Sequence, residues 1–296
     1  MEACLAVDVG GTKLAAGLVD GDGSLHGARR VPTPVGGGPE ELFGVLADLV
    51  DAVRATAAPG AGPVACGVGC GGPMTPGGEA VSPLNIPAWR AFPLRERLAA
   101  HTGLPTAVDN DAKALALGEG WRGAAAGVRD FMAMVVSTGV GGGIVLDGRL
   151  LHGASGNAGH VGHVVVEPDG RTCGCGARGC LEAEASGIAI AAAIGAPAHE
   201  AGPEVVARAG QLVGRAVASV VSLLDLTLVV VSGSVALGFG APFFEEANEE
   251  LRRRARLSYA KAAVVVPGGL GADGPLVGAG ALGWMAAGFD LGVPIP

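Results

Sequence analysis

The chain has 296 residues, of which 53 are glycine, almost half are hydrophobic and 4% are aromatic, and its formal net charge is −8. That length suits two domains or one large one with a core of Ala, Val and Leu, and the acidic balance argues against nucleic acid or an anionic membrane as the main partner. The best candidate for a membrane span, residues 216–231, is interrupted by Asp225.

The start, Met1-Glu2-Ala3, is acidic, and Asp8 breaks the first apolar run, so no signal peptide is read and a reducing, cytoplasmic setting is expected. Leu5-Ala6-Val7-Asp8-Val9 reads as a strand that runs into the turn Gly10-Gly11-Thr12-Lys13. With no side chain in the way, the N–H groups of Gly10, Gly11 and Thr12 can point at an anion, and the Thr12 hydroxyl adds a donor. Asp8 would repel a phosphate directly, so its expected place is on Mg²⁺ or a metal-bound water. This is not a Walker A loop, because Gly-x4-Gly-Lys-Ser/Thr is absent.

Residues 39–54 have helical spacing, with Leu42, Val45, Leu46, Leu49, Val50 and Val53 on one face. Residues 57–63 read as a surface loop and 64–69 as a short strand. Cys4, Cys66 and Cys70 sit in apolar, strand-like runs and read as small core residues. Thr106-Ala107-Val108-Asp109 ends a strand, and a helix follows that Asn110 or Asp111 would cap. Spacing alone favours capping for Asp111 over the alternative, a carboxylate that accepts a proton from a substrate hydroxyl.

The second half repeats the first. Residues 143–153 align without a gap on residues 17–27, and Ser137-Thr138-Gly139-Val140-Gly141-Gly142-Gly143 is a second glycine turn after a strand. Residues 203–224 read as a helix and 226–231 as a buried strand, followed by Ser232-Gly233-Ser234, which could pack on a flat base. Each half therefore reads β-β-β-α-β-α, and two such lobes with a cleft between them are expected. One such turn is a weak signal, but two at equivalent places favour nucleotide binding. Residues 278–289 read as a closing helix.

Between these elements lies His163, followed by Cys173-Gly174-Cys175 and Cys180, with glycines beside the cysteines. One imidazole and three thiols suit tetrahedral Zn²⁺, and a closed four-donor set leaves no position for water, so a structural metal is expected. In a reducing compartment, clustered thiols favour metal over disulfide.

Together these segments resemble the ROK family of repressors, open reading frames and sugar kinases, within the actin-like ATPase superfamily. The segments are Asp8-Val9-Gly10-Gly11-Thr12-Lys13, Asp109-Asn110-Asp111-Ala112, residues 137–143 and the signature from Gly156-Asn157-Ala158-Gly159 through His163 to Glu182. The resemblance covers nearly the whole chain. It implies an α/β, actin-like (ribonuclease H-like) fold of two duplicated lobes, and ATP- and Mg²⁺-dependent phosphorylation of a hexose, usually at the 6-hydroxyl. It also implies a small lobe of residues 1–118 plus about 280–296, and a large lobe of 119–279 that carries the zinc loop and a homodimer interface. By resemblance, Asp111 matches the general base, which reverses the capping preference. Gly72, Asn85, Asn110, His160, His163 and Glu182 match sugar-side positions. Asp8, Gly10, Gly11, Thr12, Lys13, Thr138, Gly139 and Gly233 fall on the phosphate and nucleotide side. His163, Cys173, Cys175 and Cys180 match the zinc ligands.

Two positions depart from the family pattern. The usual Gly-Glu-x-Gly-His is Gly159-His160-Val161-Gly162-His163 here, and Lys113 stands where the family usually has Asn. A neutral histidine accepts one hydrogen bond where a carboxylate accepts several, so mannose, an N-acetylated hexosamine or broad hexose acceptance gains weight; glucose, mannose or a related hexose stays the first reading, with an N-acylhexosamine such as N-acetylmannosamine as the alternative. A polyphosphate donor stays open beside ATP. The family's repressors carry a helix-turn-helix ahead of the first phosphate loop; here that loop begins at Asp8, so a sugar-sensing repressor is not expected.

Overall fold

A computed structural model describes residues 2–57, 62–289 and 291. Residues 58–61 of the expected surface loop, and 290 and 292–296 of the last segment, lie outside the described residues. In chain order the first half holds β1 (Ala3–Val9), β2 (Lys13–Asp20), β3 (Leu25–Pro32), α1 (Pro39–Arg54), β4 (Ala65–Cys70), α2 (Leu94–Thr102), β5 (Thr106–Asn110) and α3 (Asp111–Arg122). The second holds β6 (Phe131–Val136), β7 (Val140–Leu146), β8 (Arg149–Leu150), α4 (Leu181–Ala185), α5 (Gly187–Ile194), α6 (Pro203–Leu224), β9 (Leu228–Ser232), α7 (Ser234–Phe239), α8 (Ala241–Arg254), β10 (Val264–Pro267) and α9 (Gly274–Ala286).

The two five-stranded sheets have the same order, β3-β2-β1-β4-β5 and β8-β7-β6-β9-β10. In each, the first three strands form an antiparallel meander, and the last two run parallel to the first. The repeat legible between residues 17–27 and 143–153 is thus a repeat of topology.

Alternation along the strands sorts the core into layers. Leu5, Val7 and Val9 of β1 pack with the apolar face of α1, and Met132, Met134 and Val136 of β6 pack with α6 and α8. The opposite faces, with Cys4, Ala6 and Ala133, enclose a middle layer built on α3 and α9. Those inward residues are small because the helices come close. A Cβ on Gly67 of β4 would collide with Ala279 O of α9, and one on Gly118 of α3 would lie 2.9 Å from Gly278 N of α9. Full burial of each larger aliphatic side chain contributes about 1.5–3 kcal/mol. Here the contact is made largely by backbone and methyl groups.

α3 follows β5 of the first sheet yet packs on β6 and β7 of the second, while α9 follows β10 of the second sheet and packs on β1 and β4 of the first. The last helix begins at 274 rather than at the expected 278, because Pro275 sits in its first turn, where a missing N–H costs nothing. The strand expected over 226–231 begins at Leu228, since Asp225 takes a left-handed conformation that ends α6.

Candidate active site

Register places the functional residues at one edge. Asp8 of β1 lies beside Gly69 of β4, which lies beside Asp109 of β5, so these parallel strands end level with one another. In the second sheet Val135 of β6 aligns with Ser232 of β9. The loops beyond these carboxyl ends face each other across a cavity of about 560 Å³.

Every residue expected on the sugar and phosphate sides lines this cavity: Asp8, Gly10, Gly11, Thr12, Lys13, Gly72, Asn85, Asn110, Asp111, Thr138, Gly139, His160, His163, Glu182 and Gly233. One expectation needs correcting. The Gly10 N–H donates to Lys13 O at 3.0 Å to close the β1–β2 turn, so it is not free for an anion. That part falls to Gly11 and Thr12. Gly233 has φ +102°, and a Cβ there would collide with Val136 O, so a side chain is excluded between the ends of β9 and β6.

The open choice of helix cap resolves as a division of labour. Asn110 is the N-cap, and its Oδ1 accepts from Ala112 N at 3.1 Å. Asp111, the first helical residue, also accepts from that N–H through Oδ1, at 2.9 Å, and no protein donor among the described residues reaches its Oδ2. Burial pushes the Asp111 pKa up, against the opposing pull of the Ala112 N–H and His160. Burial, then the Asp111 charge, raises Asp8 further, to about 7, although Lys13 and Arg30 oppose it. A pair of carboxyl groups held above their ordinary range in one cleft can bind a divalent cation or take up a proton near neutral pH.

Two groups of side chains converge near Asp111. A Cβ on Gly72 would lie 3.0 Å from His160 Nε2 and 3.4 Å from Asn110 Nδ2, and one on Gly139 would lie 2.7 Å from Glu182 Oε2 and 3.4 Å from Asn85 Nδ2. The two glycines therefore leave open the space into which these polar groups point. His160 Nδ1 lies 2.9 Å from Asn157 O, which can only accept, so Nδ1 carries a proton and Nε2 is the nitrogen left to the cavity, with one acceptor lone pair at most. Glu182 Oε2 already accepts from Val140 N at 2.9 Å.

His163 joins this cavity to the cysteine cluster. The ligand atoms of His163, Cys173, Cys175 and Cys180 lie within 4.8 Å of one another. Cys175 Sγ and Cys180 Sγ are 3.8 Å apart, and Cys173 Sγ and His163 Nδ1 are 3.6 Å apart. Zn–S bonds of about 2.3 Å and Zn–N bonds of about 2.0 Å at tetrahedral angles place a sulfur pair about 3.8 Å apart and a sulfur–nitrogen pair about 3.5 Å apart. Donor set and spacing both fit zinc. Cys180 is the N-cap of α4, so Glu182, in the first turn of that helix, follows the cluster by two residues.

The structure also places residues to which the sequence reading assigns no role. Asn157 bridges the halves, with Oδ1 accepting from Met74 N at 3.1 Å and Nδ2 donating to Met74 O at 2.8 Å. Ser137 and Ser234 hydroxyls meet at 2.9 Å across the second-lobe turns. Lys113 is buried and does not line the cavity. Among the described residues no helix is long and apolar enough to cross a membrane.

Comparison with known proteins agrees with this fold. The family model described as "ROK family" matches residues 4–285. The N-acetylmannosamine kinase of Citrobacter koseri is 42% identical over 252 residues, which cover 80% of this chain and 84% of that protein. The ROK hexokinase of Thermus thermophilus is 36% identical with a TM-score of 0.81, covering 96% of this chain and 98% of that one. The ROK family glucokinase of Streptomyces griseus, solved in complex with glucose and AMPPNP, is 30% identical with a TM-score of 0.83, covering 96% and 99%.

Proposed function

The chain belongs to the ROK family, and from that premise we propose that it is a sugar kinase that transfers the γ-phosphoryl group of ATP to the 6-hydroxyl of a hexose carrying a 2-acylamino group, N-acetylmannosamine foremost. The observation that carries the kinase reading is the position of Asp111. Its carboxylate stands at the start of α3, in one cavity with two glycine turns that come from opposite sheets.

In the reaction the sugar oxygen attacks the γ-phosphorus, its proton passes to Asp111, and the bond to the β-phosphate oxygen breaks to release ADP. Gly11, Thr12 and Lys13 face the phosphates from the first sheet, with Thr138 and Gly139 opposite. Gly233 leaves a flat surface for the base. Asn85, Asn110, His160, His163 and Glu182 hold the sugar beside Gly72. Asp8 would hold Mg²⁺, which when bound offsets phosphate charge. His163, Cys173, Cys175 and Cys180 would hold a structural Zn²⁺ that stiffens the sugar side.

The acylamino preference rests on two supports. His160 Nε2 offers one acceptor where a carboxylate offers several, and the 42%-identical relative is named an N-acetylmannosamine kinase. Glucose or mannose is the second reading, favoured by likeness to the Thermus hexokinase and the Streptomyces glucokinase. The lobes that close on the sugar are taken as residues 1–118 with about 280–296, and 119–279. The protein acts in the cytoplasm, as a homodimer formed through the larger lobe, where Leu223, Leu257, Tyr259 and Val264 are exposed.

A coupled assay over glucose, mannose, N-acetylglucosamine and N-acetylmannosamine, with ATP and polyphosphate as donors, tests this. The highest kcat/KM is expected for N-acetylmannosamine with ATP. Preference for glucose would select the second reading, and no transfer to any monosaccharide from either donor would remove the kinase reading.

A further inference from the structure

α3 buries two charged side chains, and neither faces the cavity. Lys113 is 1% exposed and Glu119 is 0% exposed. Burying a charge is costly unless partners compensate it, and here the compensating groups come from loops distant in sequence.

Lys113 Nζ donates to Asp109 Oδ1 at 2.6 Å, to His152 Nδ1 at 3.1 Å and to Gly156 O at 3.1 Å. Asp109 Oδ1 also accepts from Asn110 N at 2.7 Å, so one side chain ties the β5–α3 junction to the loop after β8. Lysine can only donate, so the His152 nitrogen accepts. Burial, then the Lys113 charge, lowers the His152 pKa and keeps the ring neutral, as an acceptor must be. The residue after Gly156 is Asn157, whose carbonyl accepts from His160 Nδ1. The path from Lys113 to His160 is thus two hydrogen bonds joined through the Gly156–Asn157 main chain.

Nearly two turns along the same helix, Glu119 is buried behind the segments at the other end of the cavity. Its Oε2 accepts from Ala124 N at 2.8 Å and Gly269 N at 3.0 Å, and its Oε1 lies 3.4 Å from both Leu270 N and Ser232 Oγ. A Cβ on Gly268 would lie 2.7 Å from Glu119 Oε1, so that loop is held close. Ser232 and Gly271 line the cavity next to Gly233, on the donor side.

We propose that α3 is a positioning strut with two separable arms: Lys113 sets the sugar-facing loop 152–160 and through it His160, and Glu119 sets the donor-facing segments 232–234 and 268–271. Neither residue touches substrate. The proposal rests on the kinase reading of the cavity, and that reading is settled first by whether the wild-type enzyme phosphorylates any hexose.

Given an active wild type, the test is a pair of variants whose effects should not overlap. Lys113→Met should raise the sugar KM about tenfold, leave the ATP KM within about twofold and alter the N-acetylmannosamine-to-glucose ratio of kcat/KM. Glu119→Gln should raise the ATP KM about fivefold or more and leave the sugar KM within about twofold. A merely structural role would move both constants together. Because Lys113→Met strands the Asp109 carboxylate, the double variant Lys113→Met/Asp109→Asn separates stability from positioning. Its thermal midpoint should recover while its sugar KM stays high. Parallel shifts of both KM values in either single variant, or a double variant whose sugar KM recovers along with its midpoint, would overturn the proposal. So would loss of the near-UV circular dichroism signal in both Lys113 variants or in Glu119→Gln, which would assign these residues to folding alone.

Discussion

In the first half of the chain β3 passes to α1 through residues 33–38 alone, whereas in the second half residues 151–202 separate β8 from α6 and hold α4, α5 and the His163–Cys173–Cys175–Cys180 cluster. The strand ends differ as well. Asp8, one residue before the end of β1, pairs with Gly69 of β4, while at the matching register Val135 of β6 pairs with Ser232 of β9. One sheet order therefore supports two kinds of equipment. On the proposed reading, the sparse half brings the Asp8 carboxylate to the phosphate side, the elaborated half adds His160, His163 and Glu182 to the acceptor side, and the cysteine cluster would brace the long connection. What the repeat supplies is the edge at which both meet.

The sharpest way to break this contrast is at the junction between the halves. Asp111→Asn should lower kcat by about a hundredfold or more while sugar binding is retained. In the wild type, because burial raises the Asp111 pKa, the acid limb of kcat/KM should lie above the ordinary carboxylate range. Turnover of the Asn variant near that of the wild type would detach the base from this residue.

Next in size is the brace itself. Cys175→Ser should lose the one zinc per chain expected from elemental analysis and lower the thermal midpoint by roughly 5 °C. It should also raise the sugar KM about tenfold with little change for ATP. An equal rise in both KM values would mean that the cluster serves the whole fold rather than the acceptor side.

A smaller effect is expected within the acceptor side. His160→Glu should shift the kcat/KM ratio toward glucose by about tenfold. An unchanged sugar profile would show that position 160 does not choose the sugar.

The smallest effect concerns the sparse half. Asp8 is held at about 7, above its ordinary 3.8, so the folded state binds this proton more tightly than the unfolded chain does. Wild-type stability should therefore fall as pH rises from about 4 to about 7. Asp8→Asn cannot ionise, so without divalent cations it should melt a few degrees above the wild type at pH 8, with the gap closing near pH 4. Thermal melts of both proteins across that range check the sign.

Much of this was legible in the sequence for local reasons. The glycine turns, the Asn110-Asp111 helix start and the cysteine spacing each express chemistry within a few residues. What was not legible depends on distance. Lys113 gave no hint of its partners, because His152 and Gly156 lie on a loop 39 and 43 residues away. The Asn157–Met74 bridge spans 83 positions, and the Glu119–Gly269 contact spans 150. The engaged Gly10 N–H was missed for a different reason, since a free turn amide and one closing its own turn share the same sequence. α4 and α5, short and rich in alanine, carry no strong periodic stripe.

The crossing of α3 and α9 bears on how freely this cleft can vary. Gly118 and Gly278 meet main chain to main chain, and a methyl at either position would press on the opposing peptide units. Bulk added there would wedge the two helices apart and carry the Asp111 end of α3 away from β4. A variant far from any ligand would thus spoil phosphoryl transfer by misalignment, and its symptom would be lost turnover in a protein that still melts cooperatively.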